Sequence, residues 1–129
     1  MIFVDSSVWI DLFNKVDNAE TRKLREVKSA SDIMVGDVVL FEILRGARGD
    51  VHARQLEHEL RIFETRAIMN EAVAIKAAAN YRQLRALGIS IRKMADMIIG
   101  TYCIENGHVL LHRDRDFLPM VKHLGLKEL

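Results

Sequence analysis

The sequence has little cysteine, proline and aromatic character: one Cys, one Pro and 6% aromatic residues among 129. A lone Cys103 excludes an internal disulfide and a cysteine-built metal cage, and it fits a reducing compartment, so we expect a cytoplasmic protein. With a single proline and scattered glycines there is no linker, which predicts one domain over residues 1–129. No apolar run approaches the roughly 20 residues of a membrane span or resembles a signal peptide.

The sequence also lacks an excess of either charge. Nineteen Lys and Arg residues stand against eighteen Asp and Glu residues, for a net charge of +1. This balance argues against a protein that coats nucleic acid, but it permits a local basic rim around an acidic site. The 50% hydrophobic content is enough for a buried core and excludes a disordered chain.

Short apolar runs alternate with segments of helical periodicity. Runs without polar alternation are typical of strands that are covered on both faces, so we predict an α/β fold, a three-layer sandwich of parallel strands and helices. The predicted strands are residues 2–4, 33–35, 65–68, 109–111 and 126–129. The predicted helices are residues 8–13, 19–29, 38–47 capped by Asp37, about 50–63 capped by Asp50, 71–87, 93–105 and a short one after Asp116.

Carboxylates follow two of the predicted strands. Asp5 ends the first strand, and Asp114 and Asp116 follow strand 109–111. Active groups of such folds collect outside the carboxyl ends of the strands, so these side chains are candidates for one site. A structural interpretation stays open for each: Asp5 as a helix cap, and the Asp-x-Asp pair as a turn in which Asp116 caps the next helix.

Two further acids lie in predicted helices. Glu42 is surrounded by the apolar residues 38–44, so we expect a nearly buried carboxylate that needs either Arg45, three residues on, or a metal ion. Asp96 lies near the start of its helix, where the helix dipole alone would favour an anion. Grouped carboxylates repel one another and require a counter-ion, and oxygen ligands suit Mg²⁺ or Mn²⁺. A cation held in this way is typical of phosphodiester hydrolysis.

Four segments in order resemble the PIN-domain ribonucleases, most closely the VapC-type toxins. They are residues 2–10 (IFVDSSVWI), 38–46 (VVLFEILRG), 96–99 (DMII) and 110–117 (LLHRDRDF). The resemblance implies a PIN-like α/β/α sandwich with four or five parallel strands. It implies a Mg²⁺- or Mn²⁺-dependent endoribonuclease that is the toxin of a type II toxin–antitoxin system.

The resemblance also implies residue roles and partners. The catalytic acids would be Asp5, Glu42, Asp96 and Asp114, and the metal ligands would be Asp5, Asp96, Asp114 and Asp116. The implied partners are an RNA substrate such as one tRNA, a VapB-type antitoxin and a second copy of the chain, with DNA reached only through the antitoxin and no membrane. Apolar residues of the first three helices beyond those needed for the core would form a groove for the antitoxin.

Two positions depart from the family pattern. Ser6 stands where Thr is commoner, and we expect it still to bond a ligand carboxylate. His112 stands where Ser or Thr is usual, so it orients a carboxylate, contacts RNA or contacts metal. The candidate substrate contacts near the acids are Ser6, Arg45, Lys93, Arg113 and Arg115. Surface ion pairs are the alternative interpretation of the four basic residues.

Two other functions compete with the nuclease. One is a non-catalytic PIN-like module that acts through partner binding. The other is a phosphotransferase with an aspartate nucleophile, which also places Asp after its first strand. That class usually needs a second Asp two residues on, where this chain has Ser7.

Overall fold

The computed structural model describes residues 1–129 and contains one five-stranded sheet with seven α-helices. The strands are β1 (Ile2–Val4), β2 (Ile33–Gly36), β3 (Glu64–Arg66), β4 (Val109–Leu111) and β5 (Lys127–Glu128). The helices are α1 (Ser6–Phe13), α2 (Ala19–Glu26), α3 (Asp37–Arg45), α4 (Asp50–Leu60), α5 (Glu71–Ala86), α6 (Met94–Asn106) and α7 (Leu118–Leu124). Short 3₁₀ turns cover Ala30–Asp32 and Arg115–Phe117.

All neighbouring strands are parallel, in the order β3-β2-β1-β4-β5. The chain therefore builds outward from β1 on one side and then returns to add β4 and β5 on the other. In β1 and β4 the partners are Phe3 with Leu110 and Val4 with Leu111. The winding direction reverses between these two strands, which is where open α/β sheets form their crevice.

Two groups of helices cover the sheet. Helices α1 to α4 contact one another, and α5 contacts α6 and α7. Successive strand residues point to opposite faces, and both Phe3 and Val4 are fully buried, so each face has its own helical layer. The predicted α/β sandwich is thus confirmed, with five strands. None of the helices is long and apolar enough to cross a membrane.

Several predicted boundaries were wrong at helix starts. Gly36, not Asp37, precedes α3, and Gly49, not Asp50, precedes α4, so each aspartate is the first helical residue. Gly36 is required because a Cβ there would lie 2.6 Å from the ring of Phe3. Asp37 Oδ1 instead accepts the backbone N–H groups of Val38 and Ile68, which fixes the segment after β3. Helix α2 ends three residues before the predicted end, at Glu26.

Candidate metal centre

The acidic residues meet at the carboxyl ends of β1 and β4. The Asp5 N–H continues the sheet by donating to Leu111 O at 3.0 Å, so the chain leaves both strands at the same level. Asp114 follows β4 after two residues, and Asp96 lies in the first turn of α6. The topology therefore brings together residues that are about 20 to 110 positions apart in the sequence.

Three carboxylates form the tightest cluster. One oxygen each of Asp96, Asp114 and Asp116 lies within 4.8 Å of the other two. Asp96 is only 4% exposed, and its buried Oδ2 has no hydrogen-bond partner. A buried carboxylate oxygen without a donor is costly unless a proton or a cation satisfies it. Asp5 and Glu42 lie outside this triplet.

Burial and mutual repulsion change the protonation of these acids. The pKa of Asp96 rises from 3.8 to about 7, first because the group is buried and then because Asp5 and Asp114 are near it. Burial also raises the pKa of Asp5, although Ser7 opposes the effect. Asp5 is thus close enough to the triplet to repel it.

Asp114 behaves in the opposite way because it has partners. Burial raises its pKa, but the Asp116 backbone N–H and the Lys93 ammonium outweigh that effect, and the pKa is lowered overall. The Lys93 Nζ lies 3.2 Å from Asp114 Oδ2, and this bond raises the pKa of Lys93. Without a metal ion, the cluster therefore combines an ionised Asp114 with an Asp96 that is partly protonated near neutral pH.

Asp5 is both a helix cap and a member of the acidic site. Its Oδ2 accepts the backbone N–H of Ser7 at 3.1 Å and the Ser7 hydroxyl at 2.6 Å, which caps α1. The Ser7 hydroxyl also accepts the Arg113 N–H at 3.3 Å, so Ser7 links Asp5 to the segment after β4. No signal in the sequence predicts this link, because Ser7 and Arg113 are 106 positions apart.

Glu42 lies at the border of the site and is less buried than predicted. Its neighbour Phe41 is 62% exposed, so α3 is not buried on every side, and Glu42 is half-buried. The Ser6 hydroxyl donates to Glu42 Oε1 at 3.3 Å, so Ser6 bonds a carboxylate of the site that is not among the predicted metal ligands. Burial and then Asp5 raise the pKa of Glu42. The alternative Arg45 partner lies over the Phe41 ring instead, 5.5 Å from its centre.

The Asp-x-Asp pair forms a turn, but with the roles reversed from the structural interpretation. Asp114 is the cap of the 3₁₀ turn, and its Oδ1 accepts the Asp116 N–H at 2.9 Å. The chain at Asp116 has left the extended conformation, because Asp116 lies within the 3₁₀ turn Arg115–Phe117. The turn nevertheless keeps Asp116 beside Asp96.

The predicted substrate contacts are placed around this cluster. Lys93 is 61% exposed and holds Asp114, while Arg113 forms an ion pair with Asp11. Arg115 is exposed and lines a cleft of about 340 Å³ that also borders Asp114. Basic side chains therefore stand beside the acids on the β4 side, although two of them already hold carboxylates.

The sequence and the fold are similar to those of known proteins. The family model described as "PIN domain" matches residues 2–121. The chain belongs to the PIN domain family. Among curated proteins, it is 30% identical over 120 residues to the VapC ribonuclease Mb1587 of Mycobacterium bovis and to Ribonuclease VapC11 of Mycobacterium tuberculosis. Each match covers 91% of this chain and 89% of the relative.

Solved structures share the fold of this PIN domain at low sequence identity. VapBC2 from Rickettsia felis, bound to a promoter DNA fragment, aligns with a TM-score of 0.78 and 15% identity, covering 100% of this chain and 98% of that one. VapC20 from Mycobacterium tuberculosis, a toxin that cleaves the sarcin–ricin loop, aligns with a TM-score of 0.72 and 19% identity, with the same coverage. These likenesses establish the PIN-like fold.

The donors present in this PIN domain fit a divalent cation. The triplet offers only carboxylate oxygens, which hard cations prefer over nitrogen or sulfur. The unpartnered Asp96 Oδ2 supplies a buried oxygen that a cation would satisfy. A positive ion would also relieve the repulsion that raises the Asp96 pKa.

Proposed function

We propose that this PIN domain is a Mg²⁺- or Mn²⁺-dependent endoribonuclease that acts as the toxin of a type II toxin–antitoxin system. The observation that carries the proposal is the cluster of Asp96, Asp114 and Asp116 at the end of β4, with Asp5 beside it. The curated relatives are named as ribonucleases, which supports RNA as the substrate.

The proposed metal ligands are Asp5, Asp96, Asp114 and Asp116. A bound Mg²⁺ or Mn²⁺ would supply an acidified water and neutralise the charge that grows on the phosphate. The four acids named as catalytic in the sequence are proposed in that role: Asp5, Glu42, Asp96 and Asp114. Three of them bind the ion, and Glu42 acts at the border of the site.

Glu42 is the proposed proton acceptor of the reaction. Its Oε1 is held by the Ser6 hydroxyl, which fixes the orientation of the carboxylate and leaves the second oxygen for a water molecule. Burial and the nearby Asp5 raise its pKa, and a carboxylate with a raised pKa is a stronger proton acceptor than an ordinary one. The proposed role of Ser6, which the sequence named as a substrate contact, is therefore to hold Glu42.

Basic side chains are proposed to hold the RNA backbone. Arg115 is exposed in the cleft beside Asp114, and Arg113 lies next to it, so both can reach a phosphate that approaches the acids. Lys93 would exchange Asp114 for a phosphate once a cation binds. Arg45, stacked on exposed Phe41, borders the Glu42 side.

A cleft beside the sheet is proposed as the antitoxin groove. It has a volume of about 390 Å³ and lies between α1 and α4, with Leu12, Phe13 and Leu56 as its apolar residues. Trp9 of α1 and Leu24 of α2 belong to the buried core and take no part in this groove. The occupant we propose is an apolar segment of a VapB-type antitoxin, through which the toxin reaches DNA. The neighbours include VapBC complexes, which supports this partner.

The partner proposal has a direct test. Phe13→Ala removes apolar surface from the cleft, and we expect weaker antitoxin binding in a titration with the purified cognate antitoxin. The matched control is Ile75→Ala, on exposed α5 surface away from the cleft. Equal affinity for the Phe13 variant and the parent protein would rule out this cleft as the groove.

We propose that residues 1–129 form one catalytic domain of a cytoplasmic protein. The single sheet and its continuous core support one domain. The homodimer implied by the resemblance stays a prediction. Sedimentation of the purified chain measures its oligomeric state. One specific RNA, such as a tRNA, is the expected target.

The toxin function is tested in cells. Production of the chain alone in a bacterium should arrest growth and produce new RNA ends that primer extension detects. Glu42→Gln keeps the side-chain shape but removes the proton acceptor, so it should relieve the arrest, whereas Glu105→Gln on the exposed end of α6 should not. If soluble Glu42→Gln protein arrests growth like the parent, Glu42 is not catalytic and the non-catalytic interaction module is favoured.

A further inference from the structure

His112 occupies a buried position between the end of β4 and the acidic cluster. Its side chain is only 7% exposed, and its ring packs 4.9 Å from the ring of Phe117. Its Nδ1 accepts the backbone N–H of Asp114 at 3.2 Å. The imidazole therefore contacts the main chain of the residue that carries one of the three clustered carboxylates.

The hydrogen bonds of His112 determine where its proton lies. Because Nδ1 accepts from the Asp114 N–H, the ring hydrogen of the neutral imidazole is on Nε2. Nε2 lies 2.9 Å from Glu128 Oε2 and donates to it. Glu128 belongs to β5, the edge strand that pairs with β4 through Leu110. A chain of two hydrogen bonds thus runs from β5 through the ring to the backbone of Asp114.

Asp114 is consequently held at two points. Its own N–H is bonded to His112, and its carboxylate Oδ1 accepts the N–H of Asp116. The second carboxylate oxygen, Oδ2, takes no part in these bonds and accepts from Lys93. A side chain as short as Ser or Thr at position 112 could bond the Asp114 N–H but could not also reach β5.

We propose that His112 and Glu128 are positioning residues that fix the Asp114 backbone so that its carboxylate meets Asp96 and Asp116 at a divalent cation. This inference rests on the proposed metal-dependent nuclease. It makes the edge strand β5 part of the site, although β5 contributes no residue to the acidic cluster. Partners that orient a ligand without touching the metal typically change metal affinity 10- to 100-fold when removed.

The test measures Mn²⁺ affinity of the metal-free protein by calorimetry, without RNA. His112→Phe keeps a ring against Phe117 and removes both hydrogen bonds, so we expect about 10-fold weaker Mn²⁺ binding. His112→Asn keeps an acceptor where Nδ1 lies, and it should restore part of the affinity. A residue with only a packing role would show the reverse order, because Phe fills the space better than Asn.

Glu128 provides the second variant, which preserves the fold because its side chain is 42% exposed. Glu128→Ala should weaken Mn²⁺ binding severalfold, while Glu128→Gln keeps an acceptor for the Nε2 hydrogen and should bind like the parent. The double variant His112→Phe with Glu128→Ala should bind no more weakly than His112→Phe alone, because both act through one chain of bonds.

The outcomes separate this inference from the proposed function. If the parent binds Mn²⁺ and both His112→Phe and Glu128→Ala bind it equally well, the positioning role is overturned while the metal site stands. If the parent itself binds no Mn²⁺, the proposed function fails and this inference fails with it. If His112→Phe does not fold, the test rests on Glu128→Ala and Glu128→Gln, and unchanged Mn²⁺ affinity in Glu128→Ala overturns the inference.

Discussion

Replacing Asp96 with Asn should stabilise the metal-free protein at high pH. The folded state raises the Asp96 pKa from 3.8 to about 7, so it binds this proton more tightly than the unfolded chain does. The stabilisation that protonated Asp96 gives to the folded state is therefore lost as the pH rises from about 4 to about 7. Full ionisation of Asp96 in the folded protein costs about 4 kcal/mol of unfolding free energy. Asn carries no charge and escapes this penalty.

The size of the effect follows from two opposing contributions. Asn leaves a buried polar atom without a partner where Asp96 Oδ2 lies, which costs about 1–3 kcal/mol. At about pH 8 the variant should still be more stable by about 2 kcal/mol, since the charge penalty of about 4 kcal/mol is larger. The difference in unfolding free energy between variant and parent should grow by about 3 kcal/mol between about pH 5 and pH 8.

Urea unfolding in EDTA measures these differences, with the fluorescence of the single, buried Trp9 as the signal. The matched control is Asp32→Asn on the exposed 3₁₀ turn Ala30–Asp32, which should stay within about 0.5 kcal/mol of the parent at both pH values. If the Asp96 variant differs from the parent by the same amount at both pH values, Asp96 titrates normally and the crowded acidic site is wrong.

The remaining predictions concern Lys93 and Gly36. Lys93→Met removes the ammonium that holds Asp114, so calorimetry should find tighter Mn²⁺ binding, whereas a filter assay should find weaker RNA binding. The control is the exposed Lys122→Met, and unchanged Mn²⁺ affinity in Lys93→Met would contradict a competition between Lys93 and the cation for Asp114. Gly36→Ala places a Cβ against the buried ring of Phe3, and urea unfolding should show a loss of about 1–3 kcal/mol. Gly46→Ala, whose Cβ would meet nothing closer than 3.6 Å, should lose no stability, and an equal loss in both variants would refute the steric argument.

The sequence predicts the sheet well because its signal is local. Three apolar runs without polar alternation identify the central strands β1, β2 and β4, and the parallel topology then places Asp5 and Asp114 at one edge. Asp96 joins them because α6 begins just above that edge. The candidate acids could therefore be named from strand ends and helix starts, with the resemblance supplying their roles.

The parts that the sequence did not predict depend on contacts between distant residues. The exposure of Phe41 depends on which side of α3 the rest of the protein covers, and periodicity within one helix does not report that. The links from Ser7 to Arg113 and from His112 to Glu128 join different elements through single hydrogen bonds. The caps of α3 and α4 were wrong because Asp37 and Asp50 resemble caps locally, whereas close packing at Gly36 sets the start of α3.

The most direct test of the central claim is RNA cleavage measured against Mn²⁺ concentration, alongside calorimetric Mn²⁺ binding to the same protein. Cleavage should stop in EDTA, and the Mn²⁺ concentration that gives half-maximal cleavage should match the dissociation constant. Asp114→Asn should lose both binding and cleavage, while the exposed control Asp17→Asn should keep both. Cleavage that persists in EDTA, or in Asp114→Asn protein that no longer binds Mn²⁺, would contradict the central claim.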